Sequence, residues 1–287
     1  MITASLQSFI QQLLNSKADL RFMPVGGGSI NHCYHITAGK EIFFCKINEA
    51  AAFPGMFEAE KKGLELLTQH PVIRTPQVIA TGVSGNSQVL ILEWIEQGRQ
   101  TETFWTSFGE QLAALHQIQG AQSGLTSDNY MGALPQSNQL TDNWIDFFIQ
   151  QRLQPQVKMA VDRQLLEPVH INHFEKLYQQ LGNIFSQEPA VLLHGDLWSG
   201  NFLCDDTGKP VLIDPAVYYG HRNMDLAMTT LFGGFDGLFY ESYHYHFPLP
   251  ANYRQQWAVC NVYPLLIHLN LFGKSYLADI LHTIRRY

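Results

Sequence analysis

The stretch from residue 191 to residue 214 constrains the fold of this chain more than any other part. An apolar run leads into a polar loop that contains His194, Asp196 and Asn201. A second apolar run ends on Asp214. Short apolar runs bounded by turn residues are typical of buried strands. The stretch therefore predicts strands whose following loops present one histidine, two aspartates and one asparagine.

These side chains suit the transfer of a phosphoryl group. That reaction needs a carboxylate beside the acceptor hydroxyl and hard oxygen ligands that hold Mg²⁺ against nucleotide phosphates. Asp196 and Asn201 have the Asp-x-x-x-x-Asn spacing of a kinase catalytic loop, and His194 precedes the aspartate as in its His-x-Asp form. The plain alternative is a polar turn between strands, which four such residues in this order disfavour.

The first hundred residues contain groups suited to nucleotide phosphates. A glycine-rich turn with Gly27, Gly28 and Ser29 could cover phosphates with backbone N–H groups, although an ordinary flexible turn has the same composition. Lys46 lies in an otherwise apolar strand-like run, where an ammonium group is costly unless it is paired. Glu60, on a predicted helix with an apolar stripe, is its expected partner. An exposed position for Lys46 is the alternative.

The predicted elements divide into two lobes of an α+β protein. Residues 1–97 alternate short strands with turns around one helix, and residues 98–287 show longer helical patterns. We expect a nucleotide-binding lobe followed by a catalytic and substrate-binding lobe, with one nucleotide contacting residues of both. At the boundary, the backbone of Glu93, Trp94 and Ile95 is expected to hydrogen-bond an adenine ring.

Composition narrows the class of partner. The chain has 287 residues with 18 Lys and Arg against 25 Asp and Glu, a net charge of −7, so it offers no basic surface for nucleic acid. Its four cysteines form no Cys-x-x-Cys pair, which argues against a disulfide framework or a structural zinc site. The most apolar stretch, 259–272, is too short and too interrupted to span a membrane. We expect a soluble, cytoplasmic protein without membrane or nucleic-acid partners.

Other reactive side chains have simpler interpretations. His244 and His246 form a pair without a third ligand at a suitable spacing, so packing or surface roles are favoured over a metal site. His116 is expected to be a structural histidine on a helix. Cys33, just after the glycine turn, is expected to be inert, and its redox activity stays open.

The order of these motifs resembles the protein-kinase-like superfamily, and the His-Gly-Asp form of the loop resembles its aminoglycoside and choline kinase-like phosphotransferases. A narrower resemblance is to the fructosamine kinase family, also called ketosamine 3-kinases. Its most specific part is the octet His-Gly-Asp-Leu-Trp-Ser-Gly-Asn. The segments that carry the resemblance are 128–132, 135–138, 194–201, 214–222, 225–228 and 263–273, together with Trp144, Phe147, Phe148, Arg152 and Leu153.

The resemblance implies a two-lobed protein-kinase-like fold with a small antiparallel sheet and one helix in the first lobe. It also implies phosphorylation, with ATP and Mg²⁺, of the 3-hydroxyl of a ketosamine, the Amadori-type adduct of a sugar with an amine or a protein lysine. Asp196 would orient or deprotonate the hydroxyl, while Asn201 and Asp214 would hold Mg²⁺. Lys46 and Glu60 would position the nucleotide phosphates.

Three further residues are expected to bind substrate or support the loop: His194, Trp198 and Asp225. Trp198 could stack on the sugar or its amine substituent, or anchor the loop from the core. Asp225 is expected to accept backbone N–H bonds from the loop. The chain departs from the family at Asn223, where relatives commonly carry Glu, and at residues 123–126, where they carry an aromatic stretch; both departures put substrate identity in question.

Alternative functions stay open at this stage. An aminoglycoside, choline or homoserine-like acceptor would keep the fold, and a nucleotide-binding pseudokinase would lack turnover. The pseudokinase alternative is disfavoured because Lys46, Asp196, Asn201 and Asp214 are all present. We expect a monomer or weak dimer, and the preferred sugar, the preferred amine and the choice between free and protein-bound substrates stay open.

Overall fold

A computed structural model describes residues 2–26 and 30–287 of the chain. The predicted phosphate-binding residues Gly27, Gly28 and Ser29 lie outside the described residues. The helices are α1 Ala4–Leu13, α2 Met56–Thr68, α3 Glu102–Leu115, α4 Trp144–Phe147, α5 Gln154–Asp162, α6 Pro168–Ile184, α7 Asn223–Thr229, α8 Gly237–His246, α9 Tyr253–Cys260, α10 Val262–Phe272 and α11 Leu277–Ile284, with a π-helical turn at Phe148–Leu153 and a 3-10 turn at Lys274–Tyr276. The strands are β1 Leu20–Val25, β2 His32–Ala38, β3 Glu41–Glu49, β4 Val78–Ser84, β5 Ser87–Glu93, β6 Asn129–Met131, β7 Leu134–Gln136, β8 Val191–Leu193, β9 Phe202–Cys204, β10 Pro210–Leu212 and β11 Tyr218–Gly220.

The chain forms two compact units. The first contains Met1–Phe104 and Phe202–Pro215, and the second contains Trp105–Asn201 and Ala216–Tyr287. The predicted mixed α+β architecture, with an N-terminal antiparallel sheet and a mainly helical remainder, is confirmed. Among the residues described, no helix is both long enough and apolar enough to cross a membrane.

The first unit is built on a five-stranded antiparallel sheet in the order β1-β2-β3-β5-β4. Alternate residues of the central strands face α1, whose Leu6 and Ile10 pack into a core with Cys45, Val89 and Ile91. The residues between Val89 and Ile91 and on either side of them are buried as well, so both faces of β5 are shielded from solvent. The predicted helix that carries Glu60 is present as α2, between β3 and β4.

The hairpin of β9 and β10 belongs to the first unit although it follows, in sequence, residues 194–201, the predicted catalytic loop, which we call the catalytic loop below. The Gly98 N–H donates to Cys204 O at 2.9 Å, and the Arg74 guanidinium contacts Asp205 at 2.5 Å. Burial alone would raise the pKa of Asp205, but hydrogen bonds from Lys209 and its neighbours lower it to about 2. No pattern in the sequence indicates this grouping, and the lobe boundary at 97/98 stays a prediction.

The second unit packs its helices around α10, which is buried on nearly every side. A helix that is apolar all round is suited to the centre of a helical core. The same core holds Arg152, whose guanidinium lies 4.1 Å from the Tyr218 ring centroid and donates to Ser137 O and Asn138 Oδ1. Carbonyl and amide oxygens and an aromatic face therefore compensate this buried cation.

Candidate active site

Lys46 is a buried lysine of the first unit that is paired with two carboxylates. It lies on β3 with only 2% of its surface exposed, and Nζ donates to Glu60 Oε1 at 2.7 Å and to Asp214 Oδ1 at 2.6 Å. Burial alone would lower the pKa of Lys46, but the two carboxylates raise it above its ordinary value. The side chain is therefore a fixed ammonium group.

The phase of α2 explains why Glu60 reaches the lysine. Glu60 precedes the buried Leu64 and Leu67 by about one and two helical turns, so it lies on the same face. Glu58 points elsewhere, since it is half exposed and its carboxylate is 3.8 Å from Lys61 Nζ. The structure thus has the Lys46–Glu60 pair that the sequence favours.

Asp214 sits in a constrained turn directly after β10. Its φ of 54° lies in the left-handed region, which is rare for a residue other than glycine and often marks a functional site. Lys46, Glu60 and Asp214 together carry a net charge of −1, and 42% of the Asp214 side chain is exposed. An exposed carboxylate with excess negative charge suits a hard divalent cation such as Mg²⁺.

The catalytic loop of the second unit begins at β8, which pairs with β11. Ala216 N–H donates to His194 O at 2.9 Å, which fixes the start of the loop. Gly195 has a φ of 85°, and a Cβ added there would lie 2.0 Å from Ala216 O. Only glycine fits this turn, and this requirement explains the middle residue of the His-Gly-Asp motif.

Asp196 and Asn201 are held together within that loop. Asn201 Nδ2 donates to the Asp196 carbonyl at 2.8 Å and to Asp196 Oδ2 at 3.0 Å, and Asp196 N–H donates to His194 Nδ1 at 3.2 Å. Both contacts of Nδ2 are with oxygen, so the amide orientation is determined. Asn201 Oδ1 has no hydrogen-bond partner within the described part of the chain, and it is therefore the atom available to a metal.

Asp225 supports the loop from α7. It is almost fully buried, and its carboxylate accepts the His194 N–H at 2.7 Å and the Gly195 N–H at 2.8 Å. This is the geometry expected for it from the sequence. Its Oδ2 also lies 3.2 Å from His116 Nε2, while His116 Nδ1 lies 2.8 Å from the Tyr243 hydroxyl. The expected structural role of His116 is confirmed, whereas no signal in the sequence indicated Tyr243.

Trp198 lies on the surface of the catalytic loop and not in the core. Its side chain is 37% exposed, and its ring covers Gly200, where an added Cβ would be 2.4 Å from the indole. The ring of Phe232 meets it edge to face, with centroids 5.8 Å apart. The indole is therefore outside the buried core although it packs on its own loop, and its stacking on a substrate stays a prediction.

The predicted adenine-binding residues Glu93, Trp94 and Ile95 differ in the hydrogen bonds that they already make. The Glu93 carboxylate accepts from Arg74 at 2.6 Å and from Gln77 N–H at 3.1 Å, so its side chain joins the end of β5 to the segment before β4. The Trp94 indole donates within its own turn. Within the described residues, the backbone N–H and C=O of Ile95 make no hydrogen bond, and they would be available to a ligand. Binding of adenine here stays a prediction.

The departure from the family at Asn223 concerns packing. Asn223 is fully buried, its Nδ2 donates to Gln256 Oε1 and its Oδ1 accepts from Trp257 Nε1 at 3.0 Å. These partners complete its hydrogen bonds inside the second unit. The inference that Asn223 bears on substrate identity therefore loses its support.

Metal binding by His, Cys, Asp and Glu clusters and reaction at a thiol gain no further candidate residue in the described part of the chain. Across residues 2–26 and 30–287, no three His, Cys, Asp or Glu side chains are grouped so as to hold a metal ion. Mg²⁺ needs only one or two protein ligands where phosphates supply other oxygens, and its binding by Asn201 and Asp214 stays a prediction. Cys33 is a half-buried thiol whose pKa is raised by burial.

Comparison with known proteins identifies the family of the chain. The family model described as "Fructosamine kinase" matches residues 1–287. A probable ketoamine kinase of Synechocystis is 44% identical over 253 residues, covering 88% of this chain and 85% of that protein. The chloroplastic protein-ribulosamine 3-kinase of Arabidopsis thaliana is 35% identical over 92% of this chain and 81% of its own length.

Solved structures show the same fold. A protein assigned as a fructosamine-3-kinase from Thermobifida fusca has a TM-score of 0.87 and 31% identity, covering 99% of this chain and 98% of its own. An aminoglycoside phosphotransferase, solved as a ternary complex with ADP and hygromycin B, has a TM-score of 0.65 and 15% identity, with 98% of both chains covered. The fold is therefore the protein-kinase-like fold of these phosphotransferases.

Proposed function

The chain belongs to the fructosamine kinase family, and on this basis we propose that it transfers the γ-phosphoryl group of ATP to the 3-hydroxyl of a ketosamine. The observation that carries the proposal is the Asp196–Asn201 pair, fixed by two hydrogen bonds within the family's octet. The names of the Arabidopsis and Thermobifida relatives support the 3-position and the ketosamine class. A ketosamine formed on a protein lysine is included, which would make the activity a step of protein repair.

Asp196 acts on the acceptor in this proposal. Its carboxylate orients the sugar hydroxyl and takes up the proton as the hydroxyl oxygen bonds to the γ-phosphorus. The bond from the γ-phosphorus to the bridging oxygen breaks, and ADP leaves. The bond from Asn201 Nδ2 keeps the carboxylate of Asp196 in one rotamer, so that less ordering is needed at the moment of reaction.

Lys46 acts on the nucleotide. Held between Glu60 and Asp214, its ammonium group is placed to bind phosphate oxygens, and the carboxylates keep it charged when substrate arrives. Asn201 Oδ1 and Asp214 would hold Mg²⁺, for which their oxygens are suited. The ion, when bound, neutralises phosphate charge and aligns the transferred group.

A panel of acceptors tests the function. The protein is incubated with Mg²⁺, labelled ATP and, separately, fructosamine, ribulosamine and erythrulosamine adducts, choline and two aminoglycosides. We expect phosphate transfer to the ketosamines. Transfer only to aminoglycosides or choline would favour the second acceptor class, and ATP binding without any transfer would favour a pseudokinase. Cytoplasmic location and a monomeric or weakly dimeric state stay predictions.

A further inference from the structure

Five ring-bearing side chains of the second unit form a continuous surface that begins at the catalytic loop. Trp198 meets Phe232 at 5.8 Å between centroids, and Phe232 meets His268 at 4.9 Å. His268 in turn lies 5.5 Å from Phe272 and 5.0 Å from Tyr276. We call these five side chains the aromatic surface.

The aromatic surface is attached to the acceptor end of the site. Trp198 N–H donates to the Asp196 carbonyl at 3.2 Å, so the indole stands two residues from the carboxylate that would receive the hydroxyl. Gly234 approaches Ser199 so closely that an added Cβ would lie 2.5 Å from the serine Cβ. The loop that carries Phe232 therefore packs on the catalytic loop itself.

The exposed part of this surface is apolar and uncharged. Trp198, Phe232 and Phe272 are 37%, 40% and 59% exposed, unlike the buried rings that fill the core. Burial lowers the pKa of His268 below its ordinary value, in spite of its hydrogen bond to Pro264 O, and therefore disfavours the charged imidazolium. The five side chains include no carboxylate.

Ring faces without carboxylates favour one kind of ligand. Several ammonium groups on one ligand would call for carboxylates, which the five side chains do not supply, whereas a single cation with apolar substituents binds well to ring faces. A ketosamine has one such cation, its secondary amine, joined to the carbon next to the carbonyl group. With the sugar hydroxyl at Asp196, the amine substituent is the part of the acceptor that extends beyond the sugar.

Resting on the proposed function, we propose that the aromatic surface is the subsite for the amine substituent of the ketosamine and sets the preference among amines. Trp198 and Phe232 contact the ammonium group and its nearest carbons. Phe272, the most exposed ring at the end of α10, contacts longer substituents, which leave the site there towards solvent. The subsite therefore favours bulky aliphatic or aromatic amines over methylamine.

The test keeps the sugar constant and varies the amine. Ribulosamines of methylamine, Nα-acetyl-lysine and benzylamine are compared by kcat/KM in the wild type, Phe232→Ala, Phe232→Leu and Phe272→Ser. Loss of a ring face is expected to reduce the preference for the benzylamine adduct over the methylamine adduct by roughly three- to tenfold. Phe232→Leu keeps apolar area without a π face, so it separates ring contact from burial. Thermal unfolding verifies that each variant is folded.

Tyr245→Ala is the matched control, because Tyr245 is an 82% exposed ring of the same unit with no ring contact to the aromatic surface. Its amine preference should equal that of the wild type. An unchanged preference in the folded Phe232 and Phe272 variants would overturn the inference. The inference would also be overturned if the Phe232 and Phe272 variants differed from the wild type only in sedimentation. That result would make the aromatic surface an interface between copies of the chain. Failure of the wild type to phosphorylate any ketosamine would instead refute the proposed function itself.

Discussion

Lys46 Nζ lies 2.6 Å from Asp214 Oδ1, although 168 residues separate the two in the chain. The contact lies within the first unit, because Asp214 follows the β9–β10 hairpin that packs with residues 1–104. The left-handed backbone of Asp214 is part of this arrangement. A strained residue joined to a buried lysine is the kind of feature that function, rather than packing, maintains.

Replacing Lys46 tests the phosphate-binding role. Lys46→Met keeps the side-chain length and removes the charge, so kcat/KM for ATP should fall by at least about 100-fold. Lys61→Met is the control, because Lys61 is a partly exposed lysine on α2 whose contact is with the exposed Glu58. Steady-state kinetics with varied ATP measures both variants. Equal effects of the two substitutions would remove Lys46 from this role.

Asp196→Asn tests the acceptor role. The amide keeps the shape of the carboxylate but accepts no proton, so kcat should fall by about 10² to 10⁴ while the Kd of ATP changes less than about twofold. Asp206→Asn, in the exposed turn between β9 and β10, is the matched control and should retain full turnover. Retained turnover in Asp196→Asn would contradict the assignment.

Gly195→Ala tests the geometry of the catalytic loop. The new Cβ would approach Ala216 O to 2.0 Å, in addition to the cost of a φ of 85°, so the free energy of unfolding should fall by more than about 3 kcal/mol. Gly208→Ala isolates the backbone cost, because Gly208 has a φ of 79° with nothing within 4 Å. It should cost only about 1 kcal/mol. Chemical denaturation measures both variants. A similar loss of unfolding free energy in Gly195→Ala and Gly208→Ala would contradict the prediction, because it would mean that the clash with Ala216 O is relieved.

His221 predicts a pH dependence of stability. Burial lowers its pKa from 6.5 to about 4, although Glu188 opposes the shift. The unfolded state therefore binds the proton first as pH falls, and stability is complete above pH 6.5 and declines towards pH 4. The loss from this residue is about 3 kcal/mol.

Chemical denaturation of His221→Phe across that range measures the contribution. The variant keeps a ring beside Trp144 and Phe185, so its free energy of unfolding should fall less steeply between pH 6.5 and 4. His244→Phe, at an exposed histidine, should keep the wild-type slope. A slope in His221→Phe identical to that of the wild type would refute the prediction.

Features that local chemistry dictates were predictable from the sequence. The period of α2 distinguishes Glu60 from Glu58, and the spacing of Asp196 and Asn201 identifies the loop, although the hydrogen bond between these two side chains is known only from the structure. Features that depend on distant segments were not predictable. The packing of β9 and β10 with the first unit depends on Arg74 meeting Asp205, 131 residues away.

Two other placements depend on distant contacts in the same way. The indole of Trp198 packs over Gly200 and beside Phe232, and the sequence has no local signal for either contact. The sequence shows only that Asn223 differs from the residue common in relatives, which says nothing of where its side chain lies. Its burial against Gln256 and Trp257 emerges from the helices α7 and α9 packing together.

Mapping the phosphate on the product tests the central claim most directly. The wild-type protein is incubated with ATP, Mg²⁺ and the fructosamine of Nα-acetyl-lysine, and the product is measured by ³¹P–¹H correlation NMR. We predict a phosphorus coupled to the proton on carbon 3 of the sugar, absent when Asp196→Asn replaces the wild type. A phosphate on any other hydroxyl, or no phosphorylated ketosamine at all, would contradict the account.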